Sequence, residues 1–385
     1  MHRRLQEELF AEINGYFDGT GGVSTKLAER ETSNPASTYL DPAYLAREVA
    51  MMRRVPVIVG HATQIPKSGD FFAHEDTGVP ILVVRQADGG VKAFLNVCRH
   101  RGAHVCPEAS GNKKTFTCPY HAWTYKADGK LLLAPKPGFP NTDRETHGLQ
   151  ELPVEVRHGL VWAVLTPGLP IDVGAFLGAL DTELADYPLG DCVMERDGIR
   201  KVDINWKFVL DGFMEVYHIP TLHETTIGPW VHGRYSPFVA IGQHSRLLGI
   251  RKTYEERVQK LPFNPETFMK NVSVNYQIFP NTVAVWQQDH FEIWTAFPGR
   301  VPGECVVRVI SAVHPSKVGP EFQNRWDKNW KILFDTVESE DWTISREVQR
   351  SLPFVAGERV LFGRNEPGMQ HLHTAIDAAL TEPGG

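Results

Sequence analysis

Two short segments of the chain each combine a cysteine with a histidine. The first is Cys98-Arg99-His100, and seventeen residues later the second is Cys118-Pro119-Tyr120-His121. Thiolates and imidazoles in such pairs bind tetrahedral zinc, or a two-iron cluster in which two histidines replace two cysteines on one iron. In the second case, Cys98 and Cys118 bind one iron while His100 and His121 bind the other. Four donors in this order favour a metal site over four unligated side chains.

A second group of donors lies in the stretch 205–223, NWKFVLDGFMEVYHIPTLH, which contains Asp211, Glu215, His218 and His223. In a continuous helix, Asp211, Glu215 and His218 would share one face, because residues three and four apart are neighbours there. His223 follows a proline, so it must arrive by a turn or a distorted helix end. Two histidines and one carboxylate can bind a mononuclear iron that keeps open positions for oxygen. With sixteen histidines in the chain, however, an accidental pair is an equally ordinary interpretation of this stretch alone.

The composition restricts the class of protein. A chain of 385 residues with 42% apolar residues has enough material for a sizeable core, and its net charge of -6 argues against broad nucleic-acid binding. No apolar run reaches the length of a membrane span, and the first residues lack the apolar centre of a secretory signal, so a cytoplasmic address is expected. The odd number of cysteines, five, argues against a disulfide framework.

The elements that must position these donors fall into two patterns. Short β-branched runs bounded by turn residues predict an antiparallel β domain over about 50–165, and the 17-residue gap between the Cys/His pairs lies inside it. After a Pro/Gly boundary near 167, a helix is expected at 172–187, strands at 272–313, a long helix at 320–350 and a last helix at 371–380. The predicted class is α+β: an N-terminal helical segment, 1–54, with a Gly/Ser/Thr-rich break at 19–24, then domains at 55–166 and 167–385.

The stretches CRHRGAHVC…CPYHAWTYKADGKL and NWKFVLDGFMEVYHIPTLH resemble the Rieske non-heme iron oxygenases, α (large, terminal oxygenase) subunit, the aromatic-ring-hydroxylating dioxygenase family. The resemblance runs from about Tyr39 to the last helix. It implies a Rieske [2Fe-2S] antiparallel β domain followed by a catalytic domain whose antiparallel sheet is flanked by helices. It also implies that the cluster is bound by Cys98, His100, Cys118 and His121, with Trp123 and Tyr125 shielding it.

The resemblance further implies a set of iron-site residues. His218 and His223 match the histidine ligands of the mononuclear Fe(II). The third ligand is expected in the late helix, where Asp341, Ile344 and Gln349 follow the family pattern, while Asp335, Glu338 and Glu340 are expected to face solvent. Glu215 matches the carboxylate that links a cluster histidine of one subunit to an iron histidine of its neighbour; most members have Asp there. Asp211 is a candidate for supporting the iron site without ligating it.

The resemblance implies a function as a terminal oxygenase. Electrons from NAD(P)H would come through a separate flavin/iron–sulfur reductase, directly or by way of a ferredoxin, and O2 would be the co-substrate. The small-molecule substrate is expected to be aromatic, but monohydroxylation, dihydroxylation and oxidative demethylation all stay open, as does action on a quaternary ammonium compound. A homotrimer is expected, with a β subunit left open.

The substrate pocket and the class of protein leave two further alternatives. Phe279, Trp286, Phe291, Trp294 and Phe297 suit a planar apolar substrate and a plain core equally well. An alternative of another class is a non-catalytic Rieske electron carrier or a zinc-binding protein, which would need only the first pair of segments.

Overall fold

The structure is a computed structural model that describes residues 1–18, 27–135, 138–139, 142–355 and 357–381. The predicted break at 19–24 therefore lies outside the described residues. No helix of the described residues is both long enough and apolar enough to cross a lipid bilayer.

The helices are spread along the chain, and most are short. The α-helices are α1 (Arg3–Phe17), α2 (Pro42–Met52), α3 (Val173–Leu177), α4 (Ala179–Ala185), α5 (Trp206–Asp211), α6 (Ile219–Leu222), α7 (Pro265–Lys270), α8 (Pro320–Thr336), α9 (Trp342–Ser351) and α10 (Pro367–Thr381). Single π-helical turns occupy Glu255–Gln259 and Val337–Asp341. Short 3-10 turns occupy Ala36–Tyr39, Ala62–Gln64, Pro188–Asp191, Pro315–Lys317 and Leu352–Val355.

The strands pair antiparallel throughout the described residues. They are β1 (Thr32–Pro35), β2 (Val57–His61), β3 (Asp70–His74), β4 (Ile81–Arg85), β5 (Val91–Leu95), β6 (Ser110–Asn112), β7 (Thr115–Thr117), β8 (Thr124–Lys126), β9 (Leu131–Leu133), β10 (Glu151–Leu152), β11 (Val154–Arg157), β12 (Leu160–Ala163), β13 (Val193–Val202), β14 (Phe238–Ile241), β15 (His244–Ile250), β16 (Val272–Ile278), β17 (Thr282–Trp286), β18 (His290–Pro298), β19 (Cys305–Val313) and β20 (Arg359–Phe362).

The chain divides into two compact units, and the smaller one is Ala50–Phe176. Its strands form three small sheets, in the orders β10-β5-β4-β3-β6, β11-β12-β2 and β7-β8-β9. A buried apolar cluster lies between the larger sheet and the Cys/His segments, and it includes Phe71, Phe94, Phe116, Cys98 and Cys118. The two cysteines are thus part of the core of this unit, whereas the loops that carry them continue to its surface.

The larger unit combines Met1–Val49 with Leu177–Gly385. Its centre is a seven-stranded sheet in the order β13-β19-β18-β17-β16-β15-β14, and β1 pairs separately with β20. α5 lies against β18, and α10 lies against β14 and β15. The sheet is covered on both faces, which explains why β15, β17, β18 and β19 are almost continuously buried. The predicted α+β class, with antiparallel sheets flanked by helices, is confirmed.

The structure differs from the sequence-based expectation in its helices. α5 ends at Asp211, just before Gly212, so Asp211, Glu215 and His218 do not share one helical face. The helix expected at 172–187 is broken at Gly178, whose φ is 55°. The helix expected at 320–350 is interrupted by the π turn Val337–Asp341. The apolar periodicity of the sequence continues across the last two breaks, so it could not indicate them.

Candidate metal centres and active site

The two Cys/His segments fold into equivalent loops. In the first, Cys98 donates its N–H to Ala103 O (2.8 Å) and its carbonyl accepts from Gly102 N (2.9 Å). In the second, Cys118 donates to Trp123 O (2.8 Å) and accepts from Ala122 N (3.0 Å). The residue four after each cysteine is left-handed, with φ of 80° at Gly102 and 56° at Ala122. Each cysteine is therefore held in place by the backbone hydrogen bonds of its own loop, and these bonds do not depend on a bound metal.

The side chains of these loops form a mixed thiol and imidazole site. Cys98 and Cys118 are almost fully buried, and the rings of His100 and His121 lie 4.6 Å apart between centroids. Burial raises the pKa of the Cys118 thiol, and the neighbouring Cys98 thiol raises it further. His100 Nδ1 is buried, and no hydrogen-bond partner for it lies within the part of the chain that the structure describes. An imidazole nitrogen that is orphaned in this way fits a metal ligand.

The shape of the site separates the two metal alternatives. The donor atoms of these four residues do not all converge on one point. Among the described residues, only one set of three or more His, Cys, Asp or Glu residues has donor atoms all within 4.8 Å of one another, and it lies in the larger unit. A single tetrahedral zinc ion requires four donors around one point, whereas a two-iron cluster spreads its ligands over two metals. The donor set therefore fits a [2Fe-2S] cluster better than zinc.

Two aromatic residues close the site from within. The Trp123 ring stacks on His100 with a centroid distance of 5.4 Å and an interplanar angle of 8°. Tyr125 is fully buried, and its hydroxyl lies 3.4 Å from Cys98 Sγ while accepting from Arg99 N at 3.0 Å. These contacts agree with the expected shielding role of Trp123. They also place a hydroxyl dipole beside one sulfur.

In the larger unit, His218 and His223 stand at the two ends of α6. Pro220, in the first turn of this helix, has no N–H to lose and a φ suited to helix initiation, so α6 forms as one turn. His223 N donates to Ile219 O at 3.1 Å, and His223 O accepts from Gly228 N at 2.8 Å. A Cβ on Gly228 would lie 2.6 Å from His223 O, so this close approach requires glycine.

His218, His223 and Asp341 form the set of convergent donors that the described residues contain. Asp341 Oδ1 lies 3.2 Å from His223 Nε2 and 3.6 Å from His218 Nε2. Donors held about 2.1 Å from one metal at right angles lie roughly 3 Å apart. The three side chains therefore have a spacing that one ion can bridge, and together they use three positions on one side of it.

Glu340 was expected to face solvent, and that expectation is wrong. Its Oε2 accepts from His223 Nδ1 and from Thr226 Oγ1, both at 2.6 Å, and its side chain is only 18% exposed. The π turn explains the error, because the widened turn lets the adjacent residues Glu340 and Asp341 reach opposite nitrogens of one imidazole. Burial alone would lower the pKa of His223, but Asp341 and Glu340 raise it above its ordinary value.

The other acids of the late helix behave differently. Asp335 pairs with Lys331 and is 57% exposed, in agreement with the expectation. Glu338 pairs with Arg200 and is half-buried. Adjacency to Asp341 is the signal that could have identified Glu340, since a carboxylate next to a metal ligand is well placed to orient another ligand.

Glu215 and Asp211 have separate partners. Glu215 accepts from His218 Nδ1 through a very short contact, and its Oε2 also accepts from His218 N at 3.1 Å. Asp211 is turned instead toward α10, where its Oδ1 lies 3.0 Å from His373 Nε2 and its Oδ2 accepts from Tyr39 OH at 3.5 Å. The contacts of Asp211 thus belong to a buried network with α10, not to the convergent donors.

Asn205 connects the two chain segments that supply the donors. Its side chain caps α5 by accepting from Lys207 N at 3.1 Å, and its own N–H donates to Gln349 Oε1 at 2.9 Å. Gln349 lies on α9, directly after the π turn that carries Asp341. The Gln eight residues after Asp341 therefore has a structural role, since it fixes α9 to the start of α5.

A cavity of about 320 Å³ lies between α5, α6, α8 and the sheet, and all three convergent donors line it. Its apolar lining includes Phe213, Trp294, Leu333 and Trp342. Of the five aromatic residues considered from sequence, only Trp294 lines it; the others are buried elsewhere in the sheet and its packing. A cavity of this size can enclose a small organic molecule.

Comparison with known proteins gives matches for both units. The family described as "Rieske [2Fe-2S] domain" matches residues 55–144, and the family described as "Ring hydroxylating alpha subunit (catalytic domain)" matches residues 187–382. Biphenyl 2,3-dioxygenase subunit alpha of Rhodococcus jostii (strain RHA1) is 36% identical over 209 residues, which are 52% of this chain and 45% of that protein.

Two further relatives differ in their reactions. The glycine betaine monooxygenase oxygenase subunit of Chromohalobacter salexigens is 34% identical over 192 residues, which are 50% of this chain and 43% of that protein. The matched stretch thus spans less than half the length of either curated relative. Naphthalene 1,2-dioxygenase from Rhodococcus sp., solved with bound indole, shares the fold with a TM-score of 0.76 at 18% identity, covering 99% of each chain.

Proposed function

The chain belongs to the Rieske non-heme iron oxygenases, as a ring-hydroxylating α subunit, and on this premise we propose that it is the terminal oxygenase of a multicomponent system. It would use O2 and electrons that originate from NAD(P)H to hydroxylate or oxidatively demethylate a small organic substrate. The observation that carries this proposal is the convergence of His218, His223 and Asp341 on the wall of a cavity of about 320 Å³.

Two sets of residues would hold the metals. Cys98 and Cys118 would bind one iron of a [2Fe-2S] cluster, and His100 and His121 the other. His218, His223 and Asp341 would bind a mononuclear Fe(II). When bound, the cluster supplies single electrons and the mononuclear iron activates O2.

The surrounding carboxylates would fix the imidazoles of the mononuclear site. Glu340 accepts a hydrogen bond from His223 Nδ1, which would leave Nε2, on the side of Asp341, to bind the metal. Glu215 stands in the same relation to His218. The apolar cavity lining would exclude water and hold the carbon skeleton of the substrate beside these three donors.

Partners complete the proposed system. A separate flavin/iron–sulfur reductase, directly or through a ferredoxin, would reduce the cluster, and Glu215 would link the iron site to the cluster of a neighbouring subunit in a homotrimer. We leave a β subunit open and expect a cytoplasmic location. The Glu at position 215, in place of the more common Asp, favours monooxygenation or demethylation over dihydroxylation.

Metal analysis tests the two sites separately. The intact protein should contain about three irons per chain and give a Rieske-type absorption and electron spin resonance signal. Asp341→Ala should lose the mononuclear iron and all turnover while keeping the cluster signal. Asp335→Ala, in the exposed pair with Lys331, is the matched control and should keep all three irons. An Asp341→Ala protein that turns over substrate at the normal rate would exclude this carboxylate as a ligand.

Product analysis tests the reaction. A panel of aromatic compounds and N-methyl compounds, incubated with O2, NADH and a surrogate reductase, should give a product that contains oxygen from O2 or a demethylated amine with formaldehyde. A protein with two irons per chain and no product would instead be an electron carrier.

A quaternary ammonium substrate is the second candidate. The buried carboxylate of Glu292 lines the cavity, and Trp294 lies two residues further along the same face of β18. A carboxylate and an aromatic face are both suited to an ammonium group. Product formation from the N-methyl compounds, compared with product formation from the aromatic compounds of the panel, decides between this candidate and an aromatic substrate.

A further inference from the structure

The cavity contains an arginine that the metal site does not use. Arg251 follows β15, forms a β-bridge with Val231, and lines the same cavity as His218, His223 and Asp341. Its side chain is partly buried, and burial lowers the pKa of its guanidinium, which Glu292 partly counteracts. A guanidinium stays charged in proteins, so this wall of the cavity carries a positive charge.

The hydrogen bonds of Arg251 are incomplete. Its Nη2 donates to the neutral amide of Gln287 at 3.4 Å, and its Nε is buried and has no hydrogen-bond partner among the described residues. In the part of the chain that the structure describes, no carboxylate oxygen lies within the 4.0 Å that defines an ion pair with it. Burying a charge without a counter-charge costs free energy. Nε and one terminal nitrogen of an arginine can donate two parallel hydrogen bonds to a single carboxylate.

The nearest carboxylate of the cavity is engaged elsewhere. Glu292 Oε1 lies 3.3 Å from His290 Nε2, and Asp289 Oδ1 lies 3.1 Å from His290 Nδ1. Burial would lower the pKa of His290, but the hydrogen bonds that its ring donates to Asp289 and Glu292 raise it to about 9. The charge of Glu292 is therefore balanced by His290, whereas the charge of Arg251 is not balanced by direct contact.

The sheet register aligns Arg251 with a row of polar side chains. Residues two apart on a strand point to the same face, so Arg251 and Gly249 lie on one face of the sheet. Gly249 pairs with Ser273 on the neighbouring strand β16. Ser273 and Gln287 line the same cavity, and each directly adjoins one residue of the Val274–Trp286 pair in neighbouring strands. The cavity thus has a polar wall on this side of the sheet and an apolar wall formed by Phe213, Trp294 and Leu333.

From this arrangement we propose that the substrate of this oxygenase is a carboxylate with an apolar, aromatic body, and that Arg251 binds its carboxylate group. The body lies against Trp294 and Leu333, and the carbon to be oxidised lies near His218, His223 and Asp341. Arg251 is therefore a specificity-determining residue for the proposed reaction. The inference rests on the proposed function for the reaction, but the binding that it describes is measurable without turnover.

The test is a calorimetric comparison of matched ligands. The probes are 3-phenylpropionate and its neutral analogue 3-phenylpropanamide, titrated into the full-length protein without reductase, so that no turnover occurs. The intact protein should prefer the acid. Arg251→Gln should weaken acid binding by roughly 10- to 100-fold, the loss expected for a charge-assisted hydrogen bond, and should leave amide binding unchanged. Arg251→Lys should retain part of the preference, because it keeps the charge but not the two-pronged donor.

Controls separate binding from folding. Arg257→Gln removes an exposed arginine in the π turn six residues away and should change neither affinity. If Arg251→Gln fails to fold, the ratio of acid affinity to amide affinity, measured for the intact protein and for Arg251→Lys, still tests the proposal. An intact protein that binds amide and acid equally, or Arg251→Lys with an unchanged ratio, overturns the proposal.

Further outcomes distinguish the ligand source and the two proposals. Arg251-dependent binding of glycine betaine in place of the phenyl acid supports the carboxylate subsite and overturns the aromatic body. Turnover of neutral arenes without any acid preference overturns this inference and leaves the proposed oxygenase function intact. Acid-selective binding by a protein that holds no mononuclear iron supports the subsite and overturns the proposed oxygenase function.

Discussion

Glu340 Oε2 accepts a hydrogen bond from His223 Nδ1 at 2.6 Å, while the next residue, Asp341, lies against the opposite nitrogen of the same ring. A single π turn thus places both an orienting carboxylate and a candidate ligand around one histidine. The proton on Nδ1 is fixed by this bond, which determines the nitrogen that is available to a metal.

Glu340→Gln should weaken the mononuclear site without removing a ligand. The neutral amide cannot replace the charged acceptor for His223, so we expect iron affinity to fall by roughly 10- to 100-fold. Iron retained after dialysis against a graded series of chelator concentrations measures this, with the cluster spectrum as an internal reference. Glu338→Gln, the half-buried neighbour that pairs with Arg200, is the matched control. Equal iron retention by both variants would show that Glu340 does not orient the ligand.

Tyr125→Phe should shift the potential of the cluster. The Tyr125 hydroxyl lies 3.4 Å from Cys98 Sγ, and hydrogen bonds to ligating sulfur stabilise the reduced, more negative cluster. Loss of about 1 kcal/mol from one such bond lowers the midpoint potential by on the order of 50 mV. Redox titration of the absorption spectrum measures the shift. Tyr120→Phe removes an exposed phenol hydroxyl from the loop of Cys118 and should leave the potential unchanged. An equal shift in both variants would contradict the role of Tyr125.

The buried pair Lys207–Glu48 should be important for the stability of the larger unit. Lys207 Nζ lies 2.6 Å from Glu48 Oε1, both side chains are almost fully buried, and Trp206 Nε1 donates to Glu48 Oε2 at 3.0 Å. Removing one partner leaves a buried charge unpaired, so Glu48→Gln and Lys207→Met should each cost about 3–5 kcal/mol. Urea unfolding monitored by tryptophan fluorescence measures these losses.

The double variant Glu48→Gln/Lys207→Met should be less destabilised than the sum of the two singles, because no unpaired charge remains. The exposed pair Lys331–Asp335 provides the comparison, and Lys331→Met should change stability by less than about 1 kcal/mol. Additive losses at Lys207 and Glu48 would contradict a paired buried charge.

His290 should make stability depend on pH between about 6.5 and 9. Asp289 and Glu292 raise its pKa to about 9 in the folded protein, above the usual value of about 6.5 for an unfolded chain. Its contribution is therefore fully present below about pH 6.5 and is lost as the pH rises through 9. The gap of about 2.5 pH units corresponds to about 3 kcal/mol.

The comparison of His290→Gln with the intact protein isolates this contribution from other titrating groups. The difference in unfolding free energy should be large at pH 6 and small at pH 9.5, measured by urea denaturation. His314→Gln, which changes an exposed histidine after β19, should give a small difference at both values. A difference for His290→Gln that is the same at both pH values would show that the ring is neutral in the folded protein.

Much of the architecture could be read from local patterns. The strands 272–313 and the last helix follow from apolar periodicity and turn residues, which act over a few positions. The strands β1 and β14 lie outside the strand ranges that the sequence predicts, because each has only four residues and shows no alternation of apolar and polar residues. α5 was expected to continue through His218, but Gly212 follows its last residue.

The sequence by itself determined the types and order of the candidate metal donors. Ligand chemistry depends on residue type, and the spacing of Cys98, His100, Cys118 and His121 is typical of a metal site. It also determined the family, which the comparisons confirm. Only the tertiary structure decided which acids serve which purpose. It placed Glu340 against His223, directed Asp211 toward His373, and left Arg251 without a carboxylate partner among the described residues. The physical reason is that a carboxylate or guanidinium acquires its role from the charges and hydrogen-bond partners around it, and those partners come from segments far apart in the chain.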